Sequence, residues 1–112
     1  MTTNGAQDLD ETIHQPTRLR IMTLLAAQGT DDRVAYGYVQ KELALTGGNL
    51  TIHLRKLEEA SYVAITKEFI DAKPRTWIQT TETGRDAYAR YLDNLRQTLN
   101  LPAPQPRRPL SF

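Results

Sequence analysis

LTGGNLTIHLRKLEEASYV, from Leu45 to Val63, is the stretch on which the reading of this chain turns. Leu50, Leu54 and Leu57 recur at the spacing of one face of an α-helix, so that face anchors to a core. Gly48, Thr51, Ile52, Arg55 and Glu59 point away from it, with Asn49 and Lys56 on the outward strip as well. Thr46 is a good N-cap, because its hydroxyl can accept an otherwise orphan amide. Thr46, Gly47 and Gly48 thus read as a tight turn that opens a helix over about 47–60. Asn, Thr, Arg and Lys are the side chains that bond base edges and phosphates, and an exposed Ile can pack on a thymine methyl. Gly47 and Gly48 would let a phosphate approach closely, where the helix dipole favours negative charge.

Before this stretch, Tyr36, Val39 and Leu43 define a helix ending near Leu45, preceded by a polar loop from Gly29 to Arg33. Pro16 suits the first position of an earlier helix that buries Leu19, Ile21, Met22, Leu24 and Leu25. Asp8 to His14 reads as a further short helical piece with Leu9 and Ile13 on one side. After it, Val63, Ile65 and Phe69 alternate, as do Thr76, Ile78 and Thr80, which predicts two strands joined by the tip IDAKPR. Thr81 caps a last helix, about Glu82 to Leu99, with a broad apolar stripe of Ala87, Tyr88, Tyr91, Leu92, Leu95 and Leu99. Pro102, Pro104, Pro106 and Pro109 forbid its continuation. The expected organisation is a flexible N-terminus over 1–7, one domain over 8–99 and a Pro-rich tail over 100–112. The expected fold class is mainly α with a small β-hairpin.

The chain has 112 residues, the size of one domain with a modest core. No run is long and apolar enough to span a membrane, and the polar, acidic MTTNGAQDLDET does not read as a signal peptide, so a cytoplasmic location is expected. Without cysteine there is no disulfide, thiolate metal site or thiol switch. Net charge is only +1, so distribution matters more than total. Arg55, Lys56, Lys67, Lys73 and Arg75 cluster in the helix and hairpin, while Asp8, Asp10, Glu11, Asp31 and Asp32 lie elsewhere. His14 and His53 are far apart, so neither a metal nor a cofactor is expected. His14 reads as a helix-end residue and His53 as a structural histidine bonded to a backbone group. Tyr36, Tyr38 and Trp77 are packing residues or the lining of a small-molecule pocket. No Ser–His–acid set, paired carboxylates or phosphate-binding Gly-rich motif stands out, so no enzyme is expected.

Four helices, a hairpin and a fifth helix follow the order of a winged helix-turn-helix. The pieces IHQPTRLRIMTLL, LTGGNLTIHLRKLEEASYV, KEFIDAKPRTWI and TETGR resemble the compact winged-helix regulators of the multiple-antibiotic-resistance (MarR) and arsenic-sensor (ArsR) families, over about residues 9–99. Ser61 stands where those families commonly have Gly, and Thr80 where they have Leu. The lack of cysteine rules out thiolate metal sensing of the ArsR kind. The resemblance implies a homodimer on a roughly palindromic operator in double-stranded DNA, recognition helix in the major groove and wing (about 63–81) on the backbone or minor groove. The residues expected at DNA are Thr46, Gly48, Asn49, Thr51, Ile52, Arg55 and Lys56 from the helix, with Lys73 and Arg75 from the wing. The expected dimer contacts are Leu9, Ile13, Tyr88, Tyr91, Leu92, Leu95 and Leu99. Bland readings stand beside these: the wing cations guard a sheet edge, and the last helix closes its own core. Two other functions stay open, a protein-binding winged helix and a sensor whose DNA binding answers to a small effector.

Overall fold

The computed structural model describes residues 9–29 and 32–102. The chain runs α1 (Pro16–Ala26), β1 (Val34–Ala35), α2 (Tyr36–Glu42), α3 (Gly47–Glu59), β2 (Val63–Ile70), β3 (Lys73–Thr80) and α4 (Glu82–Thr98). The strands form one antiparallel sheet in the order β1-β3-β2. A small core of Ile21, Met22, Val39, Leu50, Leu57 and Ile78, each fully buried, ties the three-helix unit to the sheet. This is a winged helix-turn-helix, the architecture expected from the sequence.

Two elements differ from expectation. The helical piece around Leu9 to His14 is a turn at residues 11–13; Asp8 lies outside the described residues. The Asp10 carboxylate accepts from the backbone N–H groups of Thr12, at 2.8 Å, and Ile13, at 3.2 Å. That local bonding competes with helix formation. Gln15 then caps α1 by accepting from the Arg18 N–H at 2.8 Å, with Pro16 at the first helical position. The second difference is β1, which pairs Val34 with Ile78 and Ala35 with Trp77. A two-residue strand is too short to carry a period of two, so only its pairing reveals it.

The turn before α3 is not made by glycines. Gly47 and Gly48 are helical, and no described glycine has a positive φ. The left-handed residue is Ala44, at φ 53°. Ala44 N–H donates to Lys41 O at 3.2 Å and Leu45 N–H to Gln40 O at 3.0 Å, which is a Schellman closure of α2. Helices α3 and α4 end the same way, with Ser61 (φ 67°) and Asn100 (φ 58°) in the left-handed position. Ser61 therefore occupies a site where glycine would carry no steric cost.

The corner after α3 also seats α4. Thr81 Oγ1 donates to Ser61 O at 2.6 Å and accepts from Gly84 N–H at 2.9 Å. Gly84 crosses so closely that a Cβ there would lie 2.1 Å from Tyr62 O. At the far end of the hairpin, Asp71 (φ 52°) and Ala72 (φ 63°) form a two-residue turn with both central residues left-handed, the type I′ geometry. The tip is thus shorter than IDAKPR. Lys73, Pro74 and Arg75 belong to β3, facing Ile70, Phe69 and Glu68. The pair flanking a two-residue turn exchanges hydrogen bonds, so the next pair, Phe69 and Pro74, does not. The missing N–H of Pro74 points away from β2, on the edge where β1 pairs only with Trp77 and Ile78 and does not extend to Pro74, so nothing is lost.

Candidate DNA interface

Helix α3 buries Leu50, Leu54 and Leu57 and exposes Asn49, Thr51, Ile52, Arg55 and Lys56, as the spacing predicts. Thr46 caps it, accepting from the Asn49 N–H at 3.1 Å. Gly48 is exposed, and no protein atom lies within 4 Å of where its Cβ would stand. Glu58 and Glu59 are also exposed near the end of the helix. The N-terminal half of the helix is therefore the half free of acids.

Between α3 and the hairpin runs an open groove of about 600 Å³, lined by Tyr36, Thr51, Arg55, Glu58, Lys67 and Thr76 among others. Tyr36, on α2, read from the sequence as a packing or pocket-lining residue, is one of its members. Its hydroxyl donates to Gly47 O at 2.8 Å and lies 2.8 Å from Thr51 Oγ1. A phenol has one hydrogen, so the second bond must use the hydrogen of Thr51. That leaves Thr51 Oγ1 facing the groove as an acceptor. No spacing or motif links this pair, because it depends on how α2 crosses α3. Tyr38 is exposed on α2 and Trp77 sits on the sheet, so of the three aromatics considered for a pocket only Tyr36 lines this groove.

Cross-strand partners share a face of the hairpin. Lys67 with Thr76, and Phe69 with Pro74, continue the face that bears the buried Val63 and Ile78 and the half-buried Ile65 and looks towards α3. Glu68 with Arg75, and Ile70 with Lys73, occupy the opposite face. Lys73 and Arg75, expected at a loop tip, thus stand on the outer face of the strand, and Lys67 is the hairpin cation in the groove. On the outer face Arg33 bonds Glu68 at 2.8 Å and lies over the Trp77 ring, 4.8 Å from its centroid. The guanidinium holds the Glu68 carboxyl below its usual range. Trp77 Nε1 is buried without a properly formed hydrogen bond, although its proximity to Glu68 acts in the same direction.

Both histidines have partners other than those expected. His53 is half-buried and faces the Arg18 guanidinium, with Nδ1 3.2 Å from Nη1. Burial first, then the charges of Arg18 and Lys56, push its pKa below the ordinary value. The ring is therefore neutral, with Nδ1 accepting. His14 sits in the turn before α1 and bonds Tyr91 Oη through Nδ1 at 2.7 Å. Of the expected dimer residues, Ile13 and Tyr91 are buried in the protomer's own core, at 0% and 2% exposure, and so are not surface groups. Tyr88 is half-buried and its hydroxyl meets Thr23 Oγ1 at 2.9 Å. Leu9, Leu92 and Leu95 are half-buried, and Leu99, with Leu101 beyond it, is exposed.

A winged helix-turn-helix with a polar, cation-bearing recognition face is the design of a DNA-binding protein. Residues 17–99 match the family described as winged helix DNA-binding domain, and the chain belongs to that family. It is 35% identical over 80 residues to an uncharacterised protein of Methanocaldococcus jannaschii, spanning 71% of this chain and 84% of that one. A solved transcriptional regulator homologue from Pyrococcus horikoshii OT3 is 32% identical, with a TM-score of 0.73 over 81% of this chain and 87% of that chain. A MarR-family transcriptional regulator from Silicibacter pomeroyi shares the fold, with a TM-score of 0.59 and 19% identity over 80% of this chain and 57% of that one. The fold is thus the winged helix of MarR-type regulators. Among the described residues, no helix is long and apolar enough to cross a membrane.

Proposed function

We propose that the protein is a sequence-specific transcriptional regulator that binds double-stranded DNA as a homodimer. Helix α3 enters the major groove, and the wing lies along the backbone or in the adjacent minor groove. The observation that carries this reading is Ile52. It is 53% exposed within an otherwise polar strip, beside the exposed Asn49 and Arg55 and on the acid-free half of the helix. An exposed branched side chain on a polar strip leaves much of its apolar surface in water, and a thymine methyl is its natural complement in a major groove. Asn49 and Arg55 are the partners of adenine and guanine edges. The half-buried Leu92 and Leu95 and the exposed Leu99 and Leu101 support pairing of two copies through α4. A two-fold pair makes the operator roughly palindromic, and the proposed DNA partner puts the protein's working location in the cytoplasm.

The test is fluorescence anisotropy on a duplex selected from a random pool, against an unrelated duplex, at several salt concentrations. Preference for the selected duplex by about 10³-fold or more is expected. Equal affinity for both would remove sequence readout. No binding to either, even at low salt, would return the exposed strip to a protein partner.

A further inference from the structure

Phe69 is 77% exposed, the highest value among the exposed large apolar side chains of the described residues. Its partner across the hairpin is Pro74, also exposed. The two make a small apolar knob on the face of the wing that looks towards α3, one pair beyond Lys67 and Thr76 at the edge of the groove. Lys67 stands on the same face, and Lys73 and Arg75 on the opposite face of the same hairpin, each exposed. The knob stands on paired strands closed by a two-residue turn, so little ordering is needed to present it.

An exposed aromatic ring on a hairpin that carries Lys67 on the same face and Lys73 and Arg75 on the other is a poor match for an apolar protein groove, which would leave those charges buried. It matches a nucleic-acid groove, where cations meet the phosphate walls and an apolar side chain meets the base stack. Reach agrees. Phe69 lies six residues beyond the buried Val63, about 20 Å along a strand at about 3.3 Å per residue. Half a helical turn, the step from a major groove to the next minor groove, is about 17 Å.

We propose that Phe69, backed by Pro74, is an apolar wedge that enters the minor groove flanking each half-site and partly unstacks one base step. It thereby makes the protein select flexible flanking steps, a specificity that rests on shape rather than on base hydrogen bonds. This rests on the DNA-binding reading above and adds a site to it.

The experiment uses the full chain and a duplex selected from a random pool. The step about half a turn outside each α3 contact is either a flexible TA or part of a stiff A-tract. The native protein should prefer the TA flank by about 5- to 10-fold and bend the duplex, read by energy transfer between end labels. Phe69→Ala should lose both the preference and the bend while binding the A-tract duplex as the native protein does. Phe69→Leu, still a wedge, should keep most of the preference. A native protein indifferent to the flank, or a Phe69→Ala variant that keeps preference and bend, would overturn the wedge and leave α3 readout standing. Failure of the native protein to bind any duplex would instead sink the DNA-binding reading itself.

Discussion

Arg55 and Ile52 face outward one turn apart on α3, and each makes a distinct prediction. Arg55→Ala should weaken binding and relax preference at one operator position by about 1–3 kcal/mol, if the guanidinium reaches a base. Ile52→Ala should hurt the selected duplex more than a random one, because contact with a methyl depends on sequence. Equal losses on both, measured by anisotropy, would exclude Ile52 as a reader. Ser61, left-handed at φ 67°, gives a stability prediction. Ser61→Gly should stabilise the fold by about 1 kcal/mol in urea titration, since an L side chain carries about that cost there. An unchanged midpoint would mean that Ser61 is not strained. His53 gives the pH prediction. Its folded pKa lies below the ordinary 6.5, so the unfolded chain binds the proton more tightly. Its contribution is complete above about pH 6.5 and is lost as pH falls through the folded value. His53→Gln should flatten the stability profile over that acidic window, and a profile with the same slope as the native protein would assign the loss to other groups.

At the scale of elements, the role proposed for the wing cations is one of charge. Lys73 and Arg75 lie on exposed positions of β3; cations that neutralise phosphates add affinity with little sequence preference. Replacing both with Ala should weaken selected and random duplexes alike. In a symmetric dimer up to four phosphate contacts go, so the slope of log affinity against log salt should shrink by roughly 3 to 4. A loss confined to the selected duplex, with the slope intact, would make Arg75 a base reader. Helix α3 was legible in the sequence because a buried heptad-like spacing, a Thr cap and a polar strip all agree there. The wing was legible as an alternation, but its tip was not: Pro74 reads as a loop residue, and only the register shows that its missing N–H falls where no partner stands. The faces of Lys67, Lys73 and Arg75 followed from that register alone. Strand β1 and the Tyr36–Thr51 bond were not legible, since each joins segments whose own patterns say nothing of the other. The glycine pair suggested a turn and proved to be the first turn of a helix, while Ala44 carried the left-handed backbone.

For the whole molecule, the stripe on α4 divides into a buried part and an outer part. Ala87 and Tyr91 close the protomer's core, which leaves Leu95 and Leu99 as the outer part. Leu95→Gln with Leu99→Gln should give a folded monomer by analytical ultracentrifugation and abolish tight operator binding, because two weak half-site contacts no longer act together. A variant that stays dimeric and folded would place the interface elsewhere. The pairing of Val34 with Ile78 has a further consequence, for the order in which the chain assembles. The α2–α3 turn and the β2–β3 hairpin close between near neighbours and can form early, each on its own. The two residues of β1 must instead find a strand beyond the whole recognition helix, and loop closure over that distance is the entropically expensive step. The short strand is therefore expected to close late, after the two local units, which folding and unfolding rates of a Val34→Ala variant would test. A lesion there would chiefly hasten unfolding rather than slow folding, so the lifetime of the native wing, more than its geometry, hangs on Val34 and Ala35.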